Sequence, residues 1–289
     1  MEYLFLLGAM SFSAMITVGG RFYNSRNFGR TDVTQLYNVL VAAAASFAWL
    51  ILWLTDFSFD IRVLPYSLLY GLCFTFFTVG MIGALSAGST AVTGLVKQMA
   101  LVGVSFWGFM FWDTEFTWVS GIGIALIVLS LALCLLTKQE KGKKGNLLKW
   151  TFYALLLAIG NAGASITQRY QQMTFDYQHK NMMMFFALVF ATVFCLLLAL
   201  RENKINWGAA VKNGWIGPVI AGCSSALSNV FILLLVKVNM SAAIMYPGIA
   251  VGGLMITTLI SFVCFKERLR LLQWVGLAVG AVALVFLNL

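Results

Sequence analysis

The chain has 289 residues, of which 61% are hydrophobic and only 10% charged, with three prolines in all. That composition excludes an ordinary water-soluble domain of this length. Lys and Arg outnumber Asp and Glu by 19 to 10, giving a net charge of +9; because the basic residues sit in short loops between apolar runs, they report membrane orientation rather than nucleic-acid binding.

Ten apolar segments are long enough to cross a bilayer as helices, which takes about 20 residues each. In chain order they are Tyr3–Gly19, Leu36–Leu54, Leu64–Leu85, Thr90–Trp112, Phe116–Leu136, Trp150–Thr167, Met182–Leu200, Trp215–Val236, Ser241–Phe265 and Leu269–Asn288. A barrel strand would alternate polar with apolar residues, and runs such as Ile122–Leu136 do not. No basic residue precedes the first run, and it belongs to the repeat described next, so it is predicted to stay as a span rather than be cleaved as a leader.

The pattern is written twice, over 1–136 and 149–289, joined by a basic linker at 137–148 (TKQEKGKKGNLL). Gly8–Thr17 aligns with Ala158–Thr167, with Ala14/Ala164, Ile16/Ile166 and Thr17/Thr167 identical. Thr90-Ala91 and Ser241-Ala242 each open an apolar run that ends at an acid, Glu115 or Glu267, followed by Gly121 and Gly123 or by Gly276. Five is odd, so the second copy enters the membrane from the other side. The predicted fold is an all-α integral membrane protein of ten transmembrane helices in two inverted five-helix repeats, a recurring design of secondary transporters.

Loop charge agrees with inversion. One set of loops carries Arg21, Arg26, Arg30, Lys138, Lys141, Lys143, Lys144, Lys149, Arg201, Lys204, Lys212, Lys266, Arg268 and Arg270; the other carries only Arg62, Arg169, Lys180 and Lys237. The positive-inside rule makes the first set cytoplasmic and puts both termini outside. Acidic loops in the first half (Asp56, Asp60, Asp113, Glu115) correspond to basic ones in the second.

Lys97 is the one formal charge in the interior of the predicted spans, Arg270 standing at the very edge of the last. On lipid it would cost about 2.5–3.5 kcal/mol, so it either faces the protein interior or a wet cavity, or snorkels to the interface. With no acid in any span to pair with it, an interior ammonium invites an anionic ligand group, and loss of its proton would offer protons as a coupling ion. Candidate neighbours are Gln98, Ser11, Thr78, Asn161, Ser165, Asn229 and Tyr246. Each hydroxyl has the competing role of bonding back to its own helix; each asparagine divides between helix glue and substrate contact. Pro247-Gly248 reads either as a hinge in span 9 or, through Gly248 and Gly252, as a close packing face. Arg169 is either an interfacial anchor or a mouth residue that draws in anions.

The remaining signals are negative. Five cysteines are scattered one to a span, and the lone His179 has no second ligand nearby, so His179 is read as solvated and no metal site is predicted. There is no Gly-rich phosphate loop, hence no ATP motor or other cofactor in this chain, and no hydrolytic constellation, so no enzyme is expected.

The span 9–10 unit, SAAIMYPGIAVGGLMITTLISFVCFKERLRLLQWVGLAVGAVALVFL, with Glu267-Arg268 closing one helix and Gln273 and Gly276 opening the next, resembles the drug/metabolite transporter superfamily in its ten-helix EamA-like form. The resemblance extends over the whole chain. It implies a central cavity lined by helices 1–4 and 6–9, peripheral helices 5 and 10, and alternating-access movement of small metabolites. Two features depart from the pattern. Helix 1 carries Ser11, Ser13 and Thr17 where the small multidrug relatives place a glutamate, and the loop charges put the termini outside where ten-helix relatives are described with them inside.

The expectation is a multi-pass protein of the inner or plasma membrane that carries a small organic metabolite, an amino acid or another compound with an anionic group. Its partners would be that solute and the lipid bilayer, with protons as a coupling ion, no nucleic acid, and a monomer or homodimer as the unit. The alternatives are an exporter of drugs or neutral amphiphiles, and a lipid-carrier flippase.

Overall fold

In lipid a backbone can satisfy its N–H and C=O groups only within itself, which forces the apolar runs into helices. The structure, a computed structural model, describes residues 2–27, 34–87, 90–112, 117–135, 147–201, 208, 214–265 and 271–287. Its helices are α1 (Glu2–Arg26), α2 (Thr34–Thr55), α3 (Leu64–Ala87), α4 (Thr90–Phe111), α5 (Trp118–Leu135), α6 (Leu147–Thr174), α7 (Lys180–Leu200), α8 (Ile216–Lys237), α9 (Ala242–Phe265) and α10 (Leu271–Leu287), with a single 3-10 turn at Ile61–Val63. No strand occurs among the described residues. Seven of these helices are long and apolar enough to cross a bilayer (α1, α2, α3, α6, α7, α8 and α9), so the protein is membrane-embedded. Large apolar side chains cover its flanks, Phe47, Leu155, Leu197 and Leu259 among them, where only lipid can receive them.

Two helices are longer than hydropathy predicts. α1 continues past Gly19 to Arg26, and α6 begins at Leu147, inside the expected linker, and continues past Thr167 through Gln168-Arg169-Tyr170 to Thr174. Hydropathy sees where apolar side chains stop, whereas a helix continues as long as neighbouring helices or water accept its polar flank. Lys97 is therefore not the only cation borne within a bundle helix: Arg21 on α1 and Lys149 and Arg169 on α6 are others. Linker residues 137–146 lie outside the described residues, as do Asp32, Asp113, Glu115, Glu267 and Arg268.

Contacts along each seam give the helix directions. α1 runs antiparallel to α8, with Gly19 against Gly217 at one end and Ala9 accepting from Ser228 Oγ at the other. α3 runs antiparallel to α6, from Tyr66 beside Thr174 to Gly80 beside Leu157. α3 is parallel to α7, through Gly71 on Ala187 and Thr78 on Cys195. α1 is parallel to α9, through Leu6 on Gly248 and Met10 on Gly252. α4 is antiparallel to α1, through Lys97 on Ser13 and Gly94 beside Thr17, and parallel to α6, through Lys97 on Asn161 and Trp107 on Tyr170. α2 meets the start of α7 with its own end, where Trp53 stacks on Phe185 at 5.1 Å. α5 and α10 lie to one side and pack mostly on each other, Ser130 Oγ donating to the Gly276 carbonyl.

One end of this bundle, bearing the turn at 175–179, is tied by polar contacts. Asp60 Oδ1 accepts from the Arg62 amide at 2.9 Å and Asp60 Oδ2 pairs with the guanidinium at 2.7 Å, which holds the Asp60 carboxyl down at about 2. Opposite, Asp176, Tyr177 and His179 all adopt left-handed backbone angles, φ 46°, 63° and 55°, to turn α6 into α7. His179, expected as a solvated turn residue, is partly exposed: its ring packs edge-on against Phe175, and Nδ1 is buried without a protein partner. Among the described residues no group of three ligands assembles around it.

The α3–α6 seam is close because it is lined by glycine. A Cβ on Gly160 would stand 2.6 Å from the Cys73 carbonyl oxygen, and one on Gly80 would meet Leu157 and Tyr153 backbone. Gly160→Ala is expected to cost about 1–3 kcal/mol through overpacking, read as a lowered unfolding midpoint in detergent. Gly103→Ala, with nothing within 4 Å of the new methyl, should not lower the midpoint, since a helical Gly→Ala without a clash is neutral to stabilising.

Candidate functional site

Lys97 points inward. It is 2% exposed, and its ammonium donates to the carbonyl of Ser13 and, at 3.0 Å, to the Ser13 hydroxyl on α1. Both acceptors are neutral, and no acid pairs with it among the described residues. Snorkelling is thereby excluded in this conformation, since the stem is turned into the α1–α4–α6 junction. A buried cation held only by neutral oxygens keeps most of its charge uncompensated.

Asn161 donates from Nδ2 to the Lys97 main-chain carbonyl at 2.8 Å, pinning α6 to α4 at the level of the ammonium. Of the predicted neighbours it is the one the structure brings to Lys97. Ser11 sits half-buried on α1, two residues and about 200° round the helix from Ser13, so the two do not share a face. Ser165 Oγ bonds back to the Asn161 carbonyl at 3.0 Å. Thr78 bonds back to Thr75 at 3.2 Å and faces Cys195 across the α3–α7 seam. Asn229 donates to the Ser225 carbonyl at 2.8 Å and pairs with the Tyr70 hydroxyl. These three polar groups serve their own helices and seams, as short polar side chains in apolar helices commonly do. The Gln98 and Pro247 side chains lie outside the described residues. α9 runs unbroken through 247 and 248, and Gly248 packs against Leu6, which is the close-packing role of the two weighed for it.

Tyr246 is fully buried, yet its partner is Arg169 of α6 rather than Lys97. The Arg169 guanidinium also lies over the Trp112 ring, 4.7 Å from its centroid. On the other side of Lys97, toward the end where Arg26, Lys149 and Arg201 lie, the hydroxyls of Thr17, Thr93, Thr258 and Ser261 are buried without a protein partner. Together these groups trace a polar seam between α1, α4, α6 and α9, with Arg169 at one end, the ammonium in the middle and unbonded hydroxyls beyond. Sequence reading singled out Thr17 but missed Thr93, Thr258 and Ser261, because isolated Ser and Thr in apolar runs carry no signal of where they face. Arg169 was visible, but its inward turn was not.

A separate hollow of about 470 Å³ opens beside the 175–179 turn, lined by Asp60, Arg62, Tyr66, Phe175 and His179. It lies at the bundle's end and does not include Lys97.

No family model and no curated protein matches the chain. A solved structure described only as "Crystal structure of protein" superposes with a TM-score of 0.67 over 99% of this chain and 95% of that one, at 13% identity. At that identity the likeness establishes a shared fold and nothing about activity.

Ser13→Ala removes one of the two acceptors of a buried ammonium and is expected to cost about 1–3 kcal/mol, measured as a drop in thermal midpoint. Thr93→Val, which deletes a hydroxyl with no protein partner, should cost less than half as much.

Proposed function

We propose that this protein is a secondary transporter built of ten membrane-spanning helices in two inverted five-helix halves, resembling the drug/metabolite transporters, and that it carries a small metabolite bearing an anionic group. Three packing facts support the inversion. α6, which opens the second half, runs parallel to α4, and α4 runs antiparallel to α1, which opens the first. The pairings also exchange under a shift of five helices: α1 with α8 corresponds to α6 with α3, and α1 with α9 corresponds to α6 with α4. α2 with α7, α4 with α9 and α5 with α10 map onto themselves. Such pairing supports a pseudo-two-fold axis, about which alternating access is a rocking of one half against the other.

The observation that carries the reading is the buried Lys97 ammonium with only neutral oxygens around it. A permanent structural role would be better met by an acid. A site that must bind an anion and then release it needs its charge left available, and Ser13 is a placeholder weak enough to be displaced. The carboxylate of an amino acid or organic acid fits this geometry, with Asn161 holding α6 in register. Deprotonation of Lys97 as the solute leaves is the proposed route for proton coupling. The proposed unit is a monomer or homodimer in the inner or plasma membrane, with the basic end in the cytoplasm and no cofactor.

In proteoliposomes Lys97→Met is expected to lower carboxylate counterflow at least tenfold while the protein stays folded; unchanged flux of every transported anion defeats the reading and leaves an exporter of neutral amphiphiles in its place. Orientation is checked separately in a cysteine-free background. Asp176→Cys should react with impermeant maleimide added to intact cells, and Arg201→Cys should react only after the membrane is opened.

A further inference from the structure

Thr17 and Thr167 are the same residue at aligned positions of the two copies, yet their hydroxyls behave differently. Thr167 Oγ1 donates to the Gly163 carbonyl, four residues back, at 2.7 Å. That back-bond is the ordinary choice of a threonine in an apolar helix. Thr75, Thr192 and Thr257 make it too, onto Gly71, Leu188 and Gly253. The corresponding acceptor for Thr17 is the Ser13 carbonyl. Thr17 does not use it, and its Oγ1 is buried without a protein partner.

A count of lone pairs explains the difference. A carbonyl oxygen has two of them. At Gly163 one takes the Thr167 amide, in the i to i−4 ladder of α6, and the other takes the Thr167 hydroxyl. At Ser13 the Thr17 amide fills the same rung of α1, and the Lys97 ammonium fills the second place. The Thr17 hydroxyl is left over. Counted from Thr90-Ala91 and Ser241-Ala242, the counterpart of Lys97 in the second copy is Gly248, which brings no competing donor. The missing bond has room to form at Thr17. Its methyl lies 3.8 Å from where a Cβ on Gly94 of α4 would stand, and with no side chain there the Thr17 side chain can turn about χ1. Ser13 and Thr17 are one turn apart on one face of α1, so the hydroxyl reaches the carbonyl without backbone movement.

We infer that Thr17 is the reserve donor for the Ser13 carbonyl: when the Lys97 ammonium swings off Ser13 to a carboxylate, the Thr17 hydroxyl turns onto the lone pair it leaves. When the ammonium returns, the hydroxyl turns off again. This rests on the reading of Lys97 as the anion site of the solute. In that scheme Thr17 is a positioning residue that touches no solute. Without it, moving the ammonium would break a hydrogen bond on α1 and make none there. With it, the Ser13 carbonyl exchanges one donor for another, and the unbonded hydroxyl belongs to the solute-free state alone. Release of Lys97 to the solute is thereby made easier.

A double-mutant cycle on the purified full chain in detergent reads the exchange with no solute present. Lys97→Met takes the ammonium off the Ser13 carbonyl permanently, so there Thr17 should already be bonded to it. Thr17→Val, which deletes the hydroxyl and keeps the branched shape, is expected to leave the thermal midpoint of the wild type unchanged or slightly raised. In Lys97→Met the same change should lower the midpoint by about 2 °C or more. Thr17→Ser keeps the donor and should shift both backgrounds equally. Thr167→Val, whose hydroxyl is bonded whatever Lys97 does, should lower both alike. Equal shifts for Thr17→Val in the two backgrounds overturn the inference, and so does a larger drop in the wild type, a failure to fold included. Should Lys97→Met itself not fold, Lys97→Ala closes the cycle. The two proposals fail separately. Normal carboxylate counterflow in Lys97→Met removes the carrier reading while a background-dependent Thr17 still establishes the exchange; an additive cycle removes the role of Thr17 and leaves the counterflow result standing.

Discussion

A positive charge kept inside the bundle, with no acid paired to it among the described residues, is the constraint on which the rest of this structure turns. Lys97 is wrapped by α1, α4 and α6, and among the described residues its ammonium bonds to the carbonyl and hydroxyl of Ser13. Burying a cation this way is tolerated only where geometry excludes lipid and supplies oriented oxygens. The α1 backbone supplies one of those oxygens, which is why α1 has to approach α4 closely. Gly94 beside Thr17 and Thr257 provides that approach one helical turn from the lysine.

The glycine seams serve the same end on a larger scale. Between lipid-soluble helices there is little hydrophobic driving force, so association relies on close contact and on hydrogen bonds. Gly19 against Gly217, Gly71 against the Ala187 carbonyl and Gly222 against the Val41 carbonyl bring backbones together at the α1–α8, α3–α7 and α2–α8 crossings. Such crossings are firm along the pairs α1–α8 and α3–α6. The contacts of α4 and α9 with α1 and α6 are instead studded with polar side chains, several of them unbonded. Glycine-lined pairs thus stand on either side of a boundary that is polar and under-bonded among the described residues.

Charge is distributed along this boundary by kind. Lysine, a compact ammonium able to lose a proton, stands at mid-depth; arginine, planar and permanently charged, stands nearer the 175–179 end against an aromatic ring. Asp60 and Arg62, by contrast, satisfy each other at the rim of the bundle. Among the described residues neither inner cation is paired with an acid.

Much of this was legible in the chain alone. Composition determined that the protein is helical and membrane-embedded, because 20-residue apolar runs have no other way to satisfy their backbones. The isolation of Lys97 in an apolar run was equally plain, since its cost does not depend on packing. Which polar side chain answers to which cation was not. Thr78, Asn229 and Ser165 look like site residues by type, yet they close onto their own helices. Tyr246 was expected beside Lys97 and belongs to Arg169. Arg169 itself lay past the point where hydropathy ends a helix, and only the packing of α4 and α9 against α6 turned it inward. Hydropathy depends on each residue's own transfer from water, so sequence determines it; the facing of a polar group depends on helix rotation and on what the neighbouring helix presents, which tertiary structure alone decides.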